Sequence, residues 1–276
     1  RLKNGLNYGI SVSLSDQQTY IDSYPSNKTG SLTSGSSNTG VKWAYITGQK
    51  INQIWGLETI GIAKTQEEMD AHLASLPKGG QSAIGTQWGA GDIMYKDLNG
   101  DGKISTGANT LSDHGDLKVL GDANPHYFFG IDLTADWKGF DFNIFFQGVA
   151  GADVFDGTYR TDVASGNYPS WMLGRWTGEG TSNKYPRLAV GNATNWMVSD
   201  LYVCDGSYLR LKNITLGYTL PKTLTRKLTI ERLRVYVQAE NLVTWTKYWG
   251  FDPEISSGAT SLGVDRGIYP QARTYT

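Results

Sequence analysis

Two stretches of alternating apolar and polar residues, separated by the dipeptide Lys138-Gly139, constrain the fold of this chain more than any other feature. Each stretch has the two-residue period of an extended strand, so its apolar side chains share one face. The apolar residues are Phe129, Ile131, Leu133, Ala135 and Trp137 before the turn, and Phe140, Phe142, Ile144 and Phe146 after it. The residues between them include Asp132, Thr134, Asp136, Asp141 and Asn143. The pattern predicts an antiparallel hairpin with one apolar and one polar face.

The length of these strands leaves two alternatives open. Strands of about 10 residues bracketed by aromatic residues are typical of an outer-membrane barrel, whose apolar face meets lipid and whose polar face meets a wet lumen. The other alternative is a large soluble antiparallel sheet, which would bury its apolar face against a second sheet. In the membrane alternative the side chains that we predict to point into lipid are Phe129, Ile131, Leu133, Phe142, Ile144 and Phe146.

The composition is compatible with a barrel and argues against several other classes. Lys and Arg number 25 and Asp and Glu 26, so the near-neutral chain has no general attraction to nucleic acid. The mean hydropathy is −0.37, and no apolar run approaches the roughly 18 residues of a membrane helix. Because every second residue of a barrel strand faces water, this low hydropathy does not argue against a barrel. Cys204 is the single cysteine, which excludes an internal disulfide and a CxxC metal pair and is predicted to be a packed thiol.

Signals for catalysis are weak. The three histidines are scattered, and there is no HExxH motif, no GxSxG elbow and no Gly-rich phosphate loop. Asp252 and Glu254, in the motif GFDPE, are the one pair that suggests paired-carboxylate chemistry. Two acids in a single Pro-containing turn are more often a solvated or capping pair. We therefore predict that the chain is not an enzyme.

The segment DLNGDGKIS has the spacing of a cation-binding loop. Asp97, Asn99 and Asp101 occupy positions 1, 3 and 5, Gly102 at position 6 permits a sharp turn, and Lys103 offers its carbonyl at position 7. Such hard oxygen ligands suit calcium. Position 12, where a bidentate acid is expected, is an alanine. The alternative is a metal-free turn closed by its own Asx hydrogen bonds.

Only one helix is predicted, between Thr65 and Leu76, where Thr65 and Glu68 form a capping box and Pro77 follows the last turn. Alternation returns in Tyr208–Leu220 and Leu233–Asn241, which are predicted strands joined by a short polar connection, Pro221–Glu231. The segments 23–40 and 151–199 lack steady alternation and are predicted to be long loops.

Several motifs in fixed order resemble one family. They are YKDLNGDGKI, GDANP, YFFGIDLTADWKGFDFNIFFQG, DGSYLRLKNITLGYTLP, LRVYVQAENLVTW, GFDPE and YPQARTYT. Over nearly the whole chain this order resembles the C-terminal part of a SusC/RagA-type TonB-linked outer-membrane protein. The resemblance implies an all-β fold, with residues 1–276 forming the C-terminal portion of a large antiparallel transmembrane β-barrel of about 22 strands. It also implies long extracellular loops, one of which carries the short helix, and a plug and a TonB-binding segment outside this chain.

The resemblance also implies a function. Its members import oligosaccharides or oligopeptides through the outer membrane together with a SusD-like surface lipoprotein, so the expected partners are that lipoprotein, TonB, the remainder of the barrel, the substrate and lipid. In such loops an Asp completes the cation site, and Asp116 is the best match here, with Asp113 the runner-up. The alternative function is a soluble, calcium-stabilised, carbohydrate-binding β-protein.

Because the chain opens and closes on strand-like sequence, it is expected to be a fragment that does not function alone. Seven of the nine tryptophans fall on or near the predicted extracellular elements: Trp43, Trp55, Trp88, Trp171, Trp176, Trp245 and Trp249. Each is interpreted either as a contact for ligand or lipoprotein, or as part of an aromatic girdle or a loop anchor.

Overall fold

The structure is a computed structural model of the 276-residue chain. It describes residues 5–34, 42–158, 168, 170–188, 195, 197–255 and 261–276. The predicted loops 23–40 and 151–199 therefore lie partly outside the described residues, and so does Trp196.

A six-stranded antiparallel sheet is the largest element. Its strands are β1 (Asn7–Asp16), β8 (Tyr127–Trp137), β9 (Phe140–Ala150), β12 (Tyr208–Thr219), β13 (Arg234–Thr246) and β15 (Thr274–Tyr275). They lie in the order β1-β8-β9-β12-β13-β15. The predicted all-β, antiparallel fold is confirmed, and so are the predicted strands around residues 127–150, 208–220 and 233–241.

The central hairpin has the predicted turn. Trp137 pairs with Phe140, and the two residues between them have positive φ angles, 49° at Lys138 and 91° at Gly139. Two consecutive left-handed residues match the right-handed twist of the flanking strands, which is why glycine is favoured in such a turn. The register then sets Ile131 opposite Phe146 and Leu133 opposite Ile144. The predicted apolar residues therefore share one face.

This apolar face continues across five strands, and a bulge in β12 maintains it. Before the bulge the apolar residues of this face, Leu209 and Leu211, are odd-numbered, and after it they are even-numbered: Ile214, Leu216 and Tyr218. The extra residue, Lys212, lies between Leu211, which pairs with Phe146, and Asn213, which pairs with Phe145. The insertion shifts the alternation by one residue. As a result Leu211 and Ile214 lie on the same side of the sheet.

The two ends of the sheet differ in their connections. At one end β8 and β9 are joined by residues 138–139, and β12 and β13 by residues 220–233. At the other end the connections are residues 17–126, 151–207 and 247–273. We call these the turn end and the loop end, and the described residues of the three long connections the loop module.

Short strands and one longer helix make up the loop module. The strands are β2 (Thr33–Ser34), β3 (Lys42–Trp43), β4 (Gln53–Leu57), β5 (Thr59–Ile62), β6 (Ile93–Tyr95), β7 (Leu117–Asp122), β10 (Asp153–Asp156), β11 (Val203–Asp205) and β14 (Val264–Asp265). The pairs β2-β3, β4-β7 and β5-β6 form two-stranded sheets, and β11-β10-β14 forms a three-stranded sheet. Single 3-10 turns lie at Ser170–Gly174 and Asp200–Tyr202.

The loop module has its own hydrophobic core. One buried cluster draws Trp43, Ala123, Phe155, Tyr202 and Val264 from all three long connections. A second cluster, around Trp55, Tyr95 and Ile104, lies within residues 17–126. The module is thus a packed body at one end of the sheet.

The predicted helix is confirmed as α1 (Gln66–Ala74), with Thr65 as its N-cap accepting a hydrogen bond from the Glu68 N–H at 3.2 Å. The Glu68 carboxylate accepts in turn from the N–H of Lys64 at 2.6 Å. This reciprocal pair satisfies donors that a helix start leaves unpaired. The expectation of a single helix is incomplete, because a second helix of one turn, α2 (Lys222–Thr225), and a 3-10 turn, Arg226–Leu228, occupy the connection at the turn end.

Candidate functional site

Among the described residues, no protein layer lies against the apolar face of the large sheet. On β1 the side chains of Tyr8, Ile10, Val12 and Leu14 are 62–71% exposed. On β13 Val235 and Val237 are about equally open. None of the hydrophobic clusters formed by the described residues includes a side chain of this face. The soluble alternative requires a second sheet here, and the structure places none among the residues it describes.

Aromatic side chains lie at both ends of the apolar face. Near the loop end Phe146 and Trp245 have ring centroids 6.3 Å apart. Near the turn end Phe140 and Tyr218 are 4.6 Å apart, and Trp137 is exposed beside them. An 11-residue strand is about 36 Å long and, at a tilt of about 45°, spans about 26 Å along the barrel axis. The strand length therefore matches the apolar band of an outer-membrane barrel, which is about 25 Å tall, and aromatic residues lie toward both ends of the face.

The opposite face carries a polar network. Asn213 on β12 donates to Asn143 on β9 at 3.1 Å, and Asn143 donates to Asp132 on β8 at 2.5 Å. At the turn end Arg234 forms a bidentate ion pair with Asp141, and both side chains are about a third exposed. Hydrogen bonds between side chains of neighbouring strands are typical of a wet barrel lumen.

A buried ion-pair network joins the large sheet to the loop module. Arg210, on the polar face of β12, is 1% exposed and pairs with Asp252 in the loop after β13. Its Nη1 lies 3.0 Å from the Glu254 carboxylate, and Lys212 donates to the same carboxylate at 2.9 Å. Asp252 also accepts from the N–H groups of Glu254 and Gln271, each at 2.9 Å. We call Arg210, Lys212, Asp252 and Glu254 the charge latch.

The interpretation of Asp252 and Glu254 as a solvated or capping pair is therefore only partly right. Asp252 does cap backbone N–H groups, but it is 8% exposed and paired with a buried arginine. Burial alone would raise the pKa of Asp252. The N–H groups of Gln271 and Glu254 and the Arg210 guanidinium outweigh it, so the pKa of this carboxyl lies below its usual range.

The predicted cation loop folds as a tight turn whose side-chain oxygens face backbone amides. Asp97 accepts from the N–H groups of Gly100 and Gly102 at 2.7 and 2.8 Å. Asn99 accepts from Asp101, and Asp101 accepts from Lys103. The bonds of Asn99 and Asp101 reach the N–H two residues on, as in an Asx turn, and those of Asp97 close the wider loop.

Asp116, predicted to complete the site, does fold back onto this loop. It is fully buried and accepts from the N–H groups of Leu98 at 2.8 Å and Ser105 at 2.7 Å. The runner-up, Asp113, accepts instead from Ala108. Within the described ranges no three His, Cys, Asp or Glu side chains converge in a way that could hold a metal. Calcium at Asp97, Asn99, Asp101, Lys103 and Asp116 stays a prediction.

Cys204 is a packed thiol, as predicted. It lies in β11 next to Val154 and Tyr248 in a buried cluster. Burial first, and then the nearby carboxylates of Asp156 and Asp153, raise the pKa of the thiol. A thiol held protonated in this way is a poor nucleophile.

Seven of the eight described tryptophans fall into two groups. Trp43, Trp55, Trp88, Trp171 and Trp176 are buried or half-buried anchors of the loop module. Trp137 and Trp245 lie on the apolar face at its two ends. Trp249, 53% exposed, belongs to neither group.

Comparison with known proteins agrees with the geometry. No family model matches the chain. The chain is 32% identical over 238 residues to TonB-dependent receptor P3 of Formosa agariphila, which covers 83% of the chain and 22% of the receptor. It is 28% identical over 186 residues to TonB-dependent receptor SusC of Bacteroides thetaiotaomicron, covering 66% of the chain and 17% of the receptor. The chain is also similar to the structure of the RagAB peptide importer in its open-open state, with a TM-score of 0.66 and 23% sequence identity. This match covers 100% of the present chain and 26% of the importer chain.

Long antiparallel strands, an uncovered apolar face and short turns at only one end define a class, the wall of a membrane β-barrel. The chain belongs to the SusC/RagA-like TonB-dependent receptors and forms part of such a receptor. It spans between 17% and 23% of the length of the curated relatives it matches. No helix among the described residues is long and apolar enough to cross a membrane.

Proposed function

We propose that residues 1–276 form the C-terminal barrel segment of an active importer in the outer membrane, with the loop module as part of its extracellular region. The observation that carries this proposal is the apolar face, which continues over five strands and against which the part of the chain that the structure describes places no protein layer. Such a face is stable in lipid and unfavourable in water. The likeness to TonB-dependent receptors supports the same function.

The orientation of the segment follows from its connections. Outer-membrane barrels have short periplasmic turns and long extracellular loops. The turn end would therefore face the periplasm, and the loop module would lie outside the cell. In this orientation the loop module would lie where substrate first meets the importer.

Two edges of the sheet require the remainder of the barrel. Among the described residues β1 is bonded only to β8, and β15 pairs with only Ala239 and Glu240 of β13. Each unpaired backbone N–H or C=O group in the hydrocarbon of the bilayer raises the free energy of the folded protein by several kcal/mol. We therefore propose that strands from the rest of the receptor complete both edges, with the plug and the TonB-binding segment also outside these residues.

The partner outside the cell would be a SusD-like lipoprotein, since relatives of this chain include SusC and the RagAB importer. The substrate would be an oligosaccharide or an oligopeptide, and TonB would supply the energy for uptake. In this proposal the chain performs no catalysis. The alternative, a soluble calcium-stabilised binding protein, would require the apolar face to be covered by another layer.

Affinity purification of the complete receptor tests the assembly. With a tag in the receptor and mild detergent, we expect the protein in the outer-membrane fraction together with a surface lipoprotein encoded nearby. An unrelated tagged outer-membrane barrel is the control for carry-over. Recovery of the receptor as a water-soluble protein without detergent would contradict the proposal.

The cation prediction has its own measurement. If calcium binds, chelation should expose residues 97–116 to protease while the strands of the large sheet stay protected, because the ion would join the turn to Asp116. Asp97→Ala should have the same effect in the presence of calcium, and Asp113→Ala should not. Equal cleavage with calcium and with chelator would contradict the calcium prediction. It would indicate that the hydrogen bonds of the turn alone keep it closed.

A further inference from the structure

The connection between β12 and β13 at the turn end is strongly basic. Residues 220–233 contain four cationic residues and one acidic residue, whereas the whole chain has a formal net charge of −1. The cationic residues are Lys222, Arg226, Lys227 and Arg232, and all four are exposed. None of the ion pairs that the described residues form includes any of them. The connection therefore presents positive charge to its surroundings.

Exposed apolar side chains accompany this charge. Leu224 is 54% exposed and Leu233 is 36% exposed. The N–H of Leu220 donates to the carbonyl of Leu233 at 2.9 Å, which extends the pairing of β12 with β13 by one residue pair. Alternation along the two strands puts this pair on the same face as Tyr218 and Val235. The apolar face of the large sheet therefore continues into the basic connection.

A further cation lies at the neighbouring turn between β8 and β9. The Nζ of Lys138 lies 4.8 Å from the centroid of the Trp137 ring, and Trp137 is an exposed residue of the apolar face. An ammonium held over an indole is attracted by the ring, and Trp is typical of the headgroup level of a membrane protein. Arg232 differs from the other cations, because it borders a cavity with Asp141 on the polar face. We call the remaining four cations the basic rim: Lys138, Lys222, Arg226 and Lys227.

We infer that the basic rim binds the phosphate groups of anionic phospholipids in the periplasmic leaflet of the outer membrane. A segment that combines exposed apolar residues with Lys and Arg lies in the interface, with its apolar side chains at the acyl boundary and its cations among the headgroups. Each cation near an anionic surface strengthens the attraction by about fivefold.

The continuity of the apolar face favours lipid over a soluble periplasmic protein as the occupant. Leu220 and Leu233 carry the lipid-facing surface up to the basic rim without a polar break, so the headgroups of the lipids on that surface lie beside the cations. The inference rests on the proposed orientation in the membrane. It adds a selection among headgroups to the contact with acyl chains.

A local probe of lipid selectivity tests this inference in the complete receptor. Thr223→Cys, labelled with a bimane fluorophore, puts the probe at an exposed position next to Lys222. Cys204 is buried, and accessible cysteines elsewhere in the receptor are replaced by serine. The receptor is reconstituted into phosphatidylcholine vesicles that contain either phosphatidylglycerol or phosphatidylcholine with a nitroxide quencher near the glycerol backbone. We expect an association constant at least fivefold higher for phosphatidylglycerol at low salt, and a smaller preference at 1 M salt because the charges are then screened.

Two sets of substitutions separate the basic rim from the total charge of the receptor. The test variant removes three cations of the connection: Lys222→Gln, Arg226→Gln and Lys227→Gln. The matched control removes the same charge from exposed positions of the loop module: Lys64→Gln, Lys78→Gln and Lys184→Gln. We expect the test variant to be quenched equally by the two lipids and the control to keep the preference for phosphatidylglycerol.

The outcomes that would overturn the inference differ from those that would overturn the proposed function. A preference that survives in the test variant overturns the basic rim as the site. Equal quenching by both lipids in the receptor with an intact rim overturns the selection of anionic headgroups. Quenching by neither lipid overturns the membrane contact and would indicate that water or a periplasmic protein covers the connection. In all three cases recovery of the receptor from the outer-membrane fraction with its lipoprotein would leave the proposed importer standing.

Discussion

Leu133→Arg should destabilise the complete receptor by about 2–4 kcal/mol in a bilayer, as measured for arginine on the lipid face near the midplane of a barrel. Leu133 lies in the middle of β8 and pairs with Ile10 on β1 and Ile144 on β9. A guanidinium at this place would have to lie in hydrocarbon or thin the bilayer around it. The measurement is a denaturant titration of the receptor refolded into phospholipid vesicles, followed by the heat-dependent shift of the folded band on a gel.

Thr134→Arg is the control for this substitution. Thr134 is the next residue of the same strand and is exposed on the polar face, opposite Asn143. An arginine there can reach water, so we expect a change within about 1 kcal/mol. An equal loss in both variants, or a larger loss for Thr134→Arg, would show that the two faces have been assigned the wrong way round.

Arg210→Met should cost about 3–5 kcal/mol, because it leaves the buried Asp252 carboxylate without its counter-charge. The double variant Arg210→Met/Asp252→Asn should recover part of this loss, since the amide carries no charge and its oxygen still accepts from a backbone N–H. Digestion of residues 247–273 by protease, together with the denaturant titration, measures both effects. A double variant as unstable as Arg210→Met would show that charge burial is not the cause.

An exposed ion pair at the other end of the sheet provides the comparison. Arg234 and Asp141 are each about a third exposed, so Arg234→Ala should change stability by about 0–1 kcal/mol.

Acid should also weaken the charge latch. The pKa of Asp252 is lower in the folded protein than in the unfolded chain, so its contribution is present above the unfolded pKa of about 4 and is lost as pH falls through the folded value. In Arg210→Met this loss should occur at higher pH.

The elements that could be predicted from the sequence are those with a local pattern. Alternation alone placed Ile131 and Phe146 on one face, and Thr65 with Glu68 marked the start of α1. The bulge at Lys212 was harder to predict from the sequence. The change of phase in the apolar alternation between Leu211 and Ile214 is nevertheless a usable signal for it. Such a change in an otherwise alternating strand indicates an inserted residue.

The charge latch and the surroundings of Trp249 could not be predicted in this way. Arg210 and Asp252 are 42 residues apart and meet only because β12 and the loop after β13 fold onto each other. The local sequence around Asp252 does not distinguish a solvated from a buried carboxylate. Its burial therefore depends entirely on tertiary structure. The same is true of Trp249, whose partner Asp156 lies 93 residues earlier. Both sites depend on the register of strands far apart in sequence.

The core of the loop module has a consequence for the order in which this part of the receptor matures. The indole N–H of Trp43 donates to the carbonyl of Leu262 at 3.1 Å, across 219 residues of chain. Contacts of such high sequence separation form late, since the loop-closure entropy must be overcome before they stabilise anything. The core of the loop module can therefore be completed only after residues of all three long connections are in place. A partly formed sheet would therefore carry a loop module whose core is still incomplete.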